Sequence, residues 1–573
     1  GDVDAALTYR VADRNLQAAG AEELPHRLQW TGAGRLRGGA QGEDWALVAD
    51  GGVILDREGE SSPTGRSLEL TDFLVTGEKD ALTVQAGHHA PAPDTLILEG
   101  FHRRGVSAQL AGEPGGVPTG LTAFALRTEP LAGFREGLGV RDADHRTYGA
   151  AWEARPIARE DVRLDVGALY LRGRGGEGGS AVVGDDLVTE DRLESGTAWS
   201  VFADGAAWDR RLRLRGEYAR THFDPDGPGP DASRRDAGWS VLGEVRPFRS
   251  LVLAGRPLAM SLSAEQRELG ADFRSIANPG APRDQRSLDL RWRGDWAGLQ
   301  TSLGFYRARD DVDEDPLQAG YRADRFDAEL AYAFPWLARR PEAERWLGAP
   351  YLSVRWSRDR LKPIDRPEAP KRVVVPGVGL VELPPPLLFD QLTRVTVVSL
   401  GSSYRRLGWN ASHMVVRLDD QVLGDDQRTD SSSLDVSWRF DAGATLTARL
   451  QRDRVKALAT GFQTTSWLGG VGAWAPLYAS LADASLQLDV QRSRSSDSAV
   501  DRTTATLPAG LHWHALRPVN RRPGLDVSLL GTWQREEDDV RRDVTDRLQV
   551  MLQLRLVWPV RWGGVPCAGR GCR

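Results

Sequence analysis

Residues 548–558 read LQVMLQLRLVW. Leu548, Val550, Leu552, Leu554, Leu556 and Trp558 fall on one side of an extended chain, with Gln549, Gln553 and Arg555 among the residues on the other, because successive side chains of a strand point to opposite faces. The same beat recurs upstream. Leu525, Val527, Leu529, Gly531 and Trp533 alternate with Asp526, Ser528, Thr532 and Gln534, and Leu434, Val436, Trp438 and Phe440 alternate with Asp435, Ser437 and Arg439. Leu288, Leu290 and Trp292 stand against Asp289, Arg291 and Arg293, and Leu486, Leu488 and Val490 against Gln487, Asp489 and Gln491. One face is apolar and the other is wet.

A soluble sandwich also alternates, but its turn signals come every 8 to 12 residues or so. Many strands here run to about 10 to 13 residues, the length a tilted strand needs to cross a bilayer. The chain has 573 residues, 40% of them hydrophobic, a mean hydropathy of -0.41, and no apolar run near the roughly 18 residues of a membrane helix. If such a chain spans lipid it does so as a closed sheet, since every backbone N–H and C=O must then be paired internally. The expected fold is therefore all-β, a closed antiparallel transmembrane barrel of about 26 strands (22–26) over residues 1–562, followed by a Cys-containing tail at 563–573.

Composition agrees with that class. Sixty-two glycines, 19 Trp and 10 Tyr suit tight turns and amphipathic rings at two membrane interfaces. The 74 basic and 80 acidic residues nearly cancel, for a net charge of -6, which argues against a nucleic-acid partner. Only Lys79, Lys362, Lys371 and Lys456 are lysines, a bias expected of a GC-rich genome. With no secretory signal ahead of Gly1, the chain is taken as a processed form.

From residue 173 onward, long and short connections take turns. Long ones fall at 173–195, 224–236, 271–285, 311–322, 363–392, 420–431, 493–502 and 536–546, and mostly tight turns lie between them. The long ones are acidic, as in Asp310, Asp311, Asp313, Glu314 and Asp315, whereas the short side carries arginines such as Arg210, Arg211, Arg405 and Arg406. Even parity with short periplasmic turns and long outer loops places both termini in the periplasm. The acidic loops offer oxygen ligands for Ca²⁺ or, more simply, a solvated charged rim; they lack the ligand spacing of a calcium loop.

The connection 362–393 stands apart, with seven prolines and an apolar hairpin-like core that includes Val373, Val374, Val375, Leu380 and Val381. An exposed Val-rich hairpin invites aggregation, so it is expected to enter the barrel mouth or to pack on a partner. Cys567 and Cys572, four residues apart, are expected to close a small disulfide loop in an oxidising compartment; a metal site there would need two further ligands. His512 and His514 flank Trp513 and point to the wet face, where they line the lumen, ligate a metal or titrate near neutral pH. His88 and His89 precede Asp94 in an outer connection, a loose likeness to loop-borne catalytic groups. No phosphate loop, haem-attachment motif or nucleophile elbow is present, and no enzyme activity or intrinsic cofactor is expected.

In this pattern the chain resembles the large outer-membrane β-barrels of Gram-negative bacteria over essentially its whole length, without the signature of one subfamily. The resemblance implies an outer-membrane location with lipid and lipopolysaccharide around the wall. Two functions follow from it. One is a conduit, porin-like or exporter-like, whose polar or polymeric cargo meets lumen residues Arg291, Arg293, Asp435, Arg439, Asp489, Asp526 and Arg555. The other is a sheath enclosing a protein partner such as a multihaem cytochrome. A lumen of this width is expected to be filled by a partner, by the 362–393 loop, or by both.

Overall fold

The computed structural model describes residues 2–15, 28–56, 65–131, 133, 137–175, 179–183, 186–190, 193–225, 233–248, 251–313, 320–334, 348–364, 372–375, 379–382, 389–478, 481–516 and 523–559. Its main sheet holds 27 strands. One of these, Leu251–Leu253, pairs only with Arg256–Leu269 and continues the edge of Arg234–Val245. The remaining 26 (27 less one) pair antiparallel in chain order, from Asp2–Asn15 to Asp543–Pro559.

The pairing is cyclic. Asp2–Asn15 pairs with Leu28–Gln41 on one side and with Asp543–Pro559 on the other, from Asp2↔Pro559 to Asn15↔Arg547, with one bulge between Arg10 and Ala12. An edge left open would expose a row of unpaired N–H and C=O groups. Pro156 and Pro508 each put a residue without an N–H inside a ring strand, and the ladder is interrupted at both: between Ala154↔Val166 and Ile157↔Leu164 at the first. At Pro508 the pairs between Leu486↔Ala509 and Asp489↔Thr506 are missing while the register on either side stays the same.

The alternation seen in the sequence sorts the two faces. Leu486, Leu488 and Val490 are exposed on one face, while on the other Gln487 donates Nε2–H to Asp489 Oδ2 at 2.5 Å. Leu434, Leu450, Val471, Leu511 and Leu529 extend the apolar face across neighbouring strands and are solvent-accessible, with no protein covering them. Aromatic rings on this face gather at two levels. Trp45, Trp438, Phe440 and Trp513 lie toward the short connections, and Tyr148, Tyr170, Trp199 and Trp467 lie toward the long ones. Trp199 and Tyr218 meet across adjacent strands with centroids 5.7 Å apart.

Long and short connections alternate over much of the chain, but the contrast is lost after Gln391–Tyr404: the expected long connections 420–431, 493–502 and 536–546 shrink to 421–426, 496–500 and 539–542 because the flanking strands run further than the alternation suggested, and 517–523 on the short side is longer than the last two. The link from Tyr321–Ala333 to Ala349–Pro363 belongs to the short side by parity, yet it spans 334–348. Within 362–393 the described part is a hairpin, Arg372–Val375 paired with Gly379–Glu382, separate from the ring. This contains Val373, Val374, Val375, Leu380 and Val381, whose side chains lie outside the described residues, as do Cys567 and Cys572. A second separate hairpin, Gly179–Val183 with Asp186–Glu190, occupies the connection 176–193.

The register gives a direct check on ring closure. With Cys567 and Cys572 replaced by Ser, a Thr8→Cys/Gln553→Cys variant, whose residues are register partners, should form an oxidisable crosslink, seen as a reductant-sensitive mobility shift of the boiled chain in SDS. Thr8→Cys paired with Gln451→Cys on a distant strand should give none.

Candidate functional site: the inner wall and its two inward segments

On the face opposite the apolar one, arginines and carboxylates interlock. Arg213 grips Asp204 at 2.6 Å, Arg325 reaches Asp359, and Arg35 sits 2.6 Å from Asp50. Such pairs, largely solvated, contribute little stability each; their effect is to make the wall polar and close to neutral. Residues two apart on one strand, or opposite on neighbours, share a face. That geometry follows from the sequence alternation.

The lumen candidates fall into three sectors of this wall. Asp435 pairs with Arg449 at 2.8 Å and shares a recess of about 490 Å³ with Asp489, Tyr351 and Asn410. Arg291 is held by Asp289 at 2.6 Å, and Arg293, two residues on, lines a larger recess of about 770 Å³. In the third sector His512 Nδ1 meets Ser528 Oγ at 2.8 Å, and His514 bridges two neighbouring strands, Nδ1 at 2.8 Å from Asp526 and Nε2 at 3.0 Å from Asp483. Arg555 is the register partner of Asp526. Arg439 lies at the short-connection end of its strand, exposed, with its N–H donated to Arg406 O. The nine residues therefore line a wall and do not converge on one centre.

What the sequence reading missed is how two connections at the long-loop end, 90–102 and 270–284, fold onto the inner wall. Leu96, Ile97, Leu98 and Phe101 of the first and Phe273 and Ala277 of the second are buried with Phe124, Leu126, Ala151, Leu169, Leu171, Ala198, Ala219 and Leu269 of the strands beneath. These strand residues belong to the inner face, since Trp152, Tyr170, Trp199 and Tyr218 beside them in sequence are exposed on the outer one. Burying a Leu, Ile or Phe side chain contributes about 1.5–3 kcal/mol, so the four apolar side chains of 90–102 hold it firmly to the wall.

Polar contacts fix the placement. Each segment makes a small turn closed by a lone bridge, Thr95↔Leu98 and Ser275↔Asn278. The turns clip together: Ser275 Oγ donates to Ile97 O at 2.7 Å and Asn278 Nδ2 to Leu96 O at 2.9 Å. The wall holds the first turn, with Leu96 N donating to Glu217 Oε1 at 2.6 Å and Arg215 Nη2 to Asp94 O at 2.6 Å. It holds the second through Arg274, which reaches Glu194 at 2.5 Å and lies 4.5 Å over the Phe223 ring. Glycines let the segments lie flat. A Cβ at Gly173 would stand 2.5 Å from Thr147 Oγ1 and 3.0 Å from Ile276 Cγ2.

A signal for this existed. Phe124-Ala125-Leu126 and Leu169-Tyr170-Leu171 put apolar residues on both faces, a departure from alternation that marks a strand covered on each side. His88 and His89, expected in an outer connection, instead end the ring strand Leu82–His89, paired with Arg104 and Arg103, and are engaged separately from Asp94. His88 Nδ1 accepts from Phe73 N–H at 3.1 Å, which leaves Nε2 to donate to Leu131 O, also at 3.1 Å. Asp94 Oδ1 accepts from Gly100 N–H.

The acidic loop residues mostly organise turns. Asp497 accepts from Ser495 Oγ and Ala499 N–H, which holds its carboxyl below the usual range. Asp538 accepts from the N–H groups of Val540 and Arg541. Asp313 is pushed upward, first by burial and then by Asp236, Asp284, Asp272 and Asp311 around it. Among the described residues no group of three or more His, Cys, Asp or Glu is arranged to hold a metal ion.

The described architecture is an antiparallel β-barrel. No protein-family model and no curated protein matches the chain. Solved structures similar to it include the translocation pore of the P pilus usher PapC, at 10% identity over 98% of this chain and 99% of that one, with a TM-score of 0.35. Others are a mutant of the ferric enterobactin receptor PfeA from Pseudomonas aeruginosa, at 10% identity over 97% and 80% of the two chains with a TM-score of 0.38, and the outer-membrane channel DcaP of Acinetobacter baumannii, at 10% over 70% and 99% with a TM-score of 0.27.

Glu217→Ala removes the acceptor for a buried N–H, a loss of about 1–3 kcal/mol. It should speed hydrogen exchange at Leu96 and Leu98 by roughly tenfold or more while leaving amides of Thr445–Ala457 unchanged; equal protection in both would show that the segment is not held through this contact. Because Asp313 binds its proton more readily folded than unfolded, its surroundings gain stability as the pH falls through its raised pKa. Asp313→Asn should therefore protect 311–322 from proteolysis at pH 7 and make no difference near pH 3.

Proposed function

We propose that the chain is a conduit across the bacterial outer membrane, passing a polar or polymeric cargo along an ion-paired inner wall. The observation that carries this reading is the two-faced cyclic sheet, apolar and uncovered outside, charged inside, with exposed aromatic rings at two levels of the outer face. Outer-membrane barrels carry an apolar band between aromatic girdles and a polar interior. Under the same rule the short connections and both chain ends face the periplasm, and the long acidic connections face outward toward lipopolysaccharide.

Width favours a large cargo. Twenty-six strands spaced about 4.8 Å apart and tilted about 40° have a circumference near 160 Å, or about 50 Å across if circular. The inward segments 90–102 and 270–284 cover the wall only from Thr119–Arg127 round to Arg256–Leu269. The uncovered sector, from Gln285–Trp296 onward, is where Asp435, Asp489, His514 and Arg555 lie. That breadth also favours a second reading, a sheath around a protein such as a multihaem cytochrome, with 362–393 or the partner filling the remaining space.

Two measurements test the proposal. Leu450→Arg, on the outer face at mid-strand, should destabilise the chain folded in lipid vesicles by about 2–4 kcal/mol in urea titrations, while Gln451→Arg on the inner face should change it little; equal effects would refute the membrane-spanning reading. Purified protein in planar bilayers should give stable ionic conductance. A closed barrel that conducts only after a stoichiometric haem protein is stripped from the native preparation would replace the conduit with the sheath.

A further inference from the structure

The inner wall pairs many of its arginines with carboxylates, but in one sector three arginines without such a partner gather around a single recess. Around the short-connection end, Arg293 and the turn residues Arg210 and Arg211 line a common recess of about 770 Å³, and none of the three forms an ion pair among the described residues. Arg246 at the same recess is held 2.6 Å from Glu244. This contrasts with the neighbouring arginine on the same strand, Arg291, whose Nε and Nη2 donate to the two carboxylate oxygens of Asp289.

Two carboxylates also line the recess, and neither cancels the excess. Asp295 accepts from Gln300 Nε2 at 3.4 Å, and Glu329 is exposed and unpaired among the described residues. Three free guanidinium groups face two carboxylates, so the recess keeps net positive charge inside a chain whose net charge is -6. Its other contributors are hydroxyl and amide groups, Ser261, Ser302 and Gln300, and one exposed aromatic ring, Phe248.

We infer that this recess is a binding subsite for an anionic oligosaccharide, entered from the short-connection end; the inference rests on the reading of the barrel as a conduit. Guanidinium groups form two parallel hydrogen bonds with a carboxylate. Spaced hydroxyl and amide groups satisfy sugar hydroxyls, and an aromatic ring offers the apolar face of a pyranose a surface to lie on. An anion without sugar rings would use the arginines alone and leave Phe248 and the hydroxyl groups idle. Arginines left unpaired at one mouth would also draw an anionic chain toward the lumen, an attraction that salt weakens over a Debye length of about 8 Å.

The test uses the full chain in planar bilayers, with block of the current by a galacturonate decamer compared with a neutral maltodecaose and with tripolyphosphate, each added on the short-connection side. The galacturonate decamer should half-block at a concentration on the order of tenfold below maltodecaose at about 0.1 M salt, with the gap closing near 1 M. Arg293→Gln, and separately Arg210→Gln/Arg211→Gln, should shrink the gap to about twofold, while Arg291→Gln should preserve it and Glu329→Gln should widen it. A gain in Glu329→Gln cannot arise from misfolding. Equal block by the charged and neutral sugars in a conducting barrel, or an unchanged gap in Arg293→Gln, would overturn the subsite and leave the conduit standing. Block by tripolyphosphate as strong as by the galacturonate decamer would overturn the saccharide assignment. A barrel that carries no current would sink the conduit reading itself.

Discussion

Everything in this structure depends on the requirement that backbone N–H and C=O groups find partners inside the sheet. If the apolar face meets lipid as proposed, strands there cannot borrow hydrogen bonds from water, and the ladder from Asp2↔Pro559 to Asn15↔Arg547 supplies the last set. Once each strand is fixed between two neighbours, its side chains have only two directions to take. The division into an apolar outside and an ion-paired inside is then a matter of parity, and a one-residue slip would exchange the two.

That dependence explains how much of the molecule can be read from its sequence. Strand number, strand length and the sorting of Leu486 from Gln487 or Leu434 from Asp435 follow from period-two alternation, because in every ring strand successive side chains take opposite faces. Long-range placement does not follow in the same way. Nothing in the residues 90–102 or 270–284 taken alone says that they fold inward, since both look like ordinary polar connections with a few apolar residues. The clue sits in the strands beneath, where Leu169 and Leu171 flank Tyr170. Leu171 is fully buried although its face belongs to the wet side.

The wall sites show the same limit. The alternation assigned Arg291, Arg293, Asp435, Asp489 and Asp526 to one face, but their partners depend on which strands meet. Asp435 finds Arg449 on the following strand, Asp526 finds His514 on the preceding one, and Arg291 finds Asp289 two residues back on its own. Arg293 has the same residue type, face and strand as Arg291 and ends in a different electrostatic environment. Periodicity fixes direction, while neighbours fix charge.

Pairing the first strand with the last also sets the order of assembly. Asp2–Asn15 meets Asp543–Pro559 across the longest sequence separation of any strand pair among the described residues, and such contacts must overcome a large loop-closure entropy before they add stability. Until Asp543–Pro559 is in place, Asp2–Asn15 has one hydrogen-bonding edge bare. The incomplete ring is then an unsealed sheet with a sticky seam, and any strand that reaches the seam early competes with the native partner. The last seventeen-residue strand, with its Leu on every second position, is thus the clasp of the molecule, and the time spent before it fastens is when the chain most needs to be kept apart from its copies.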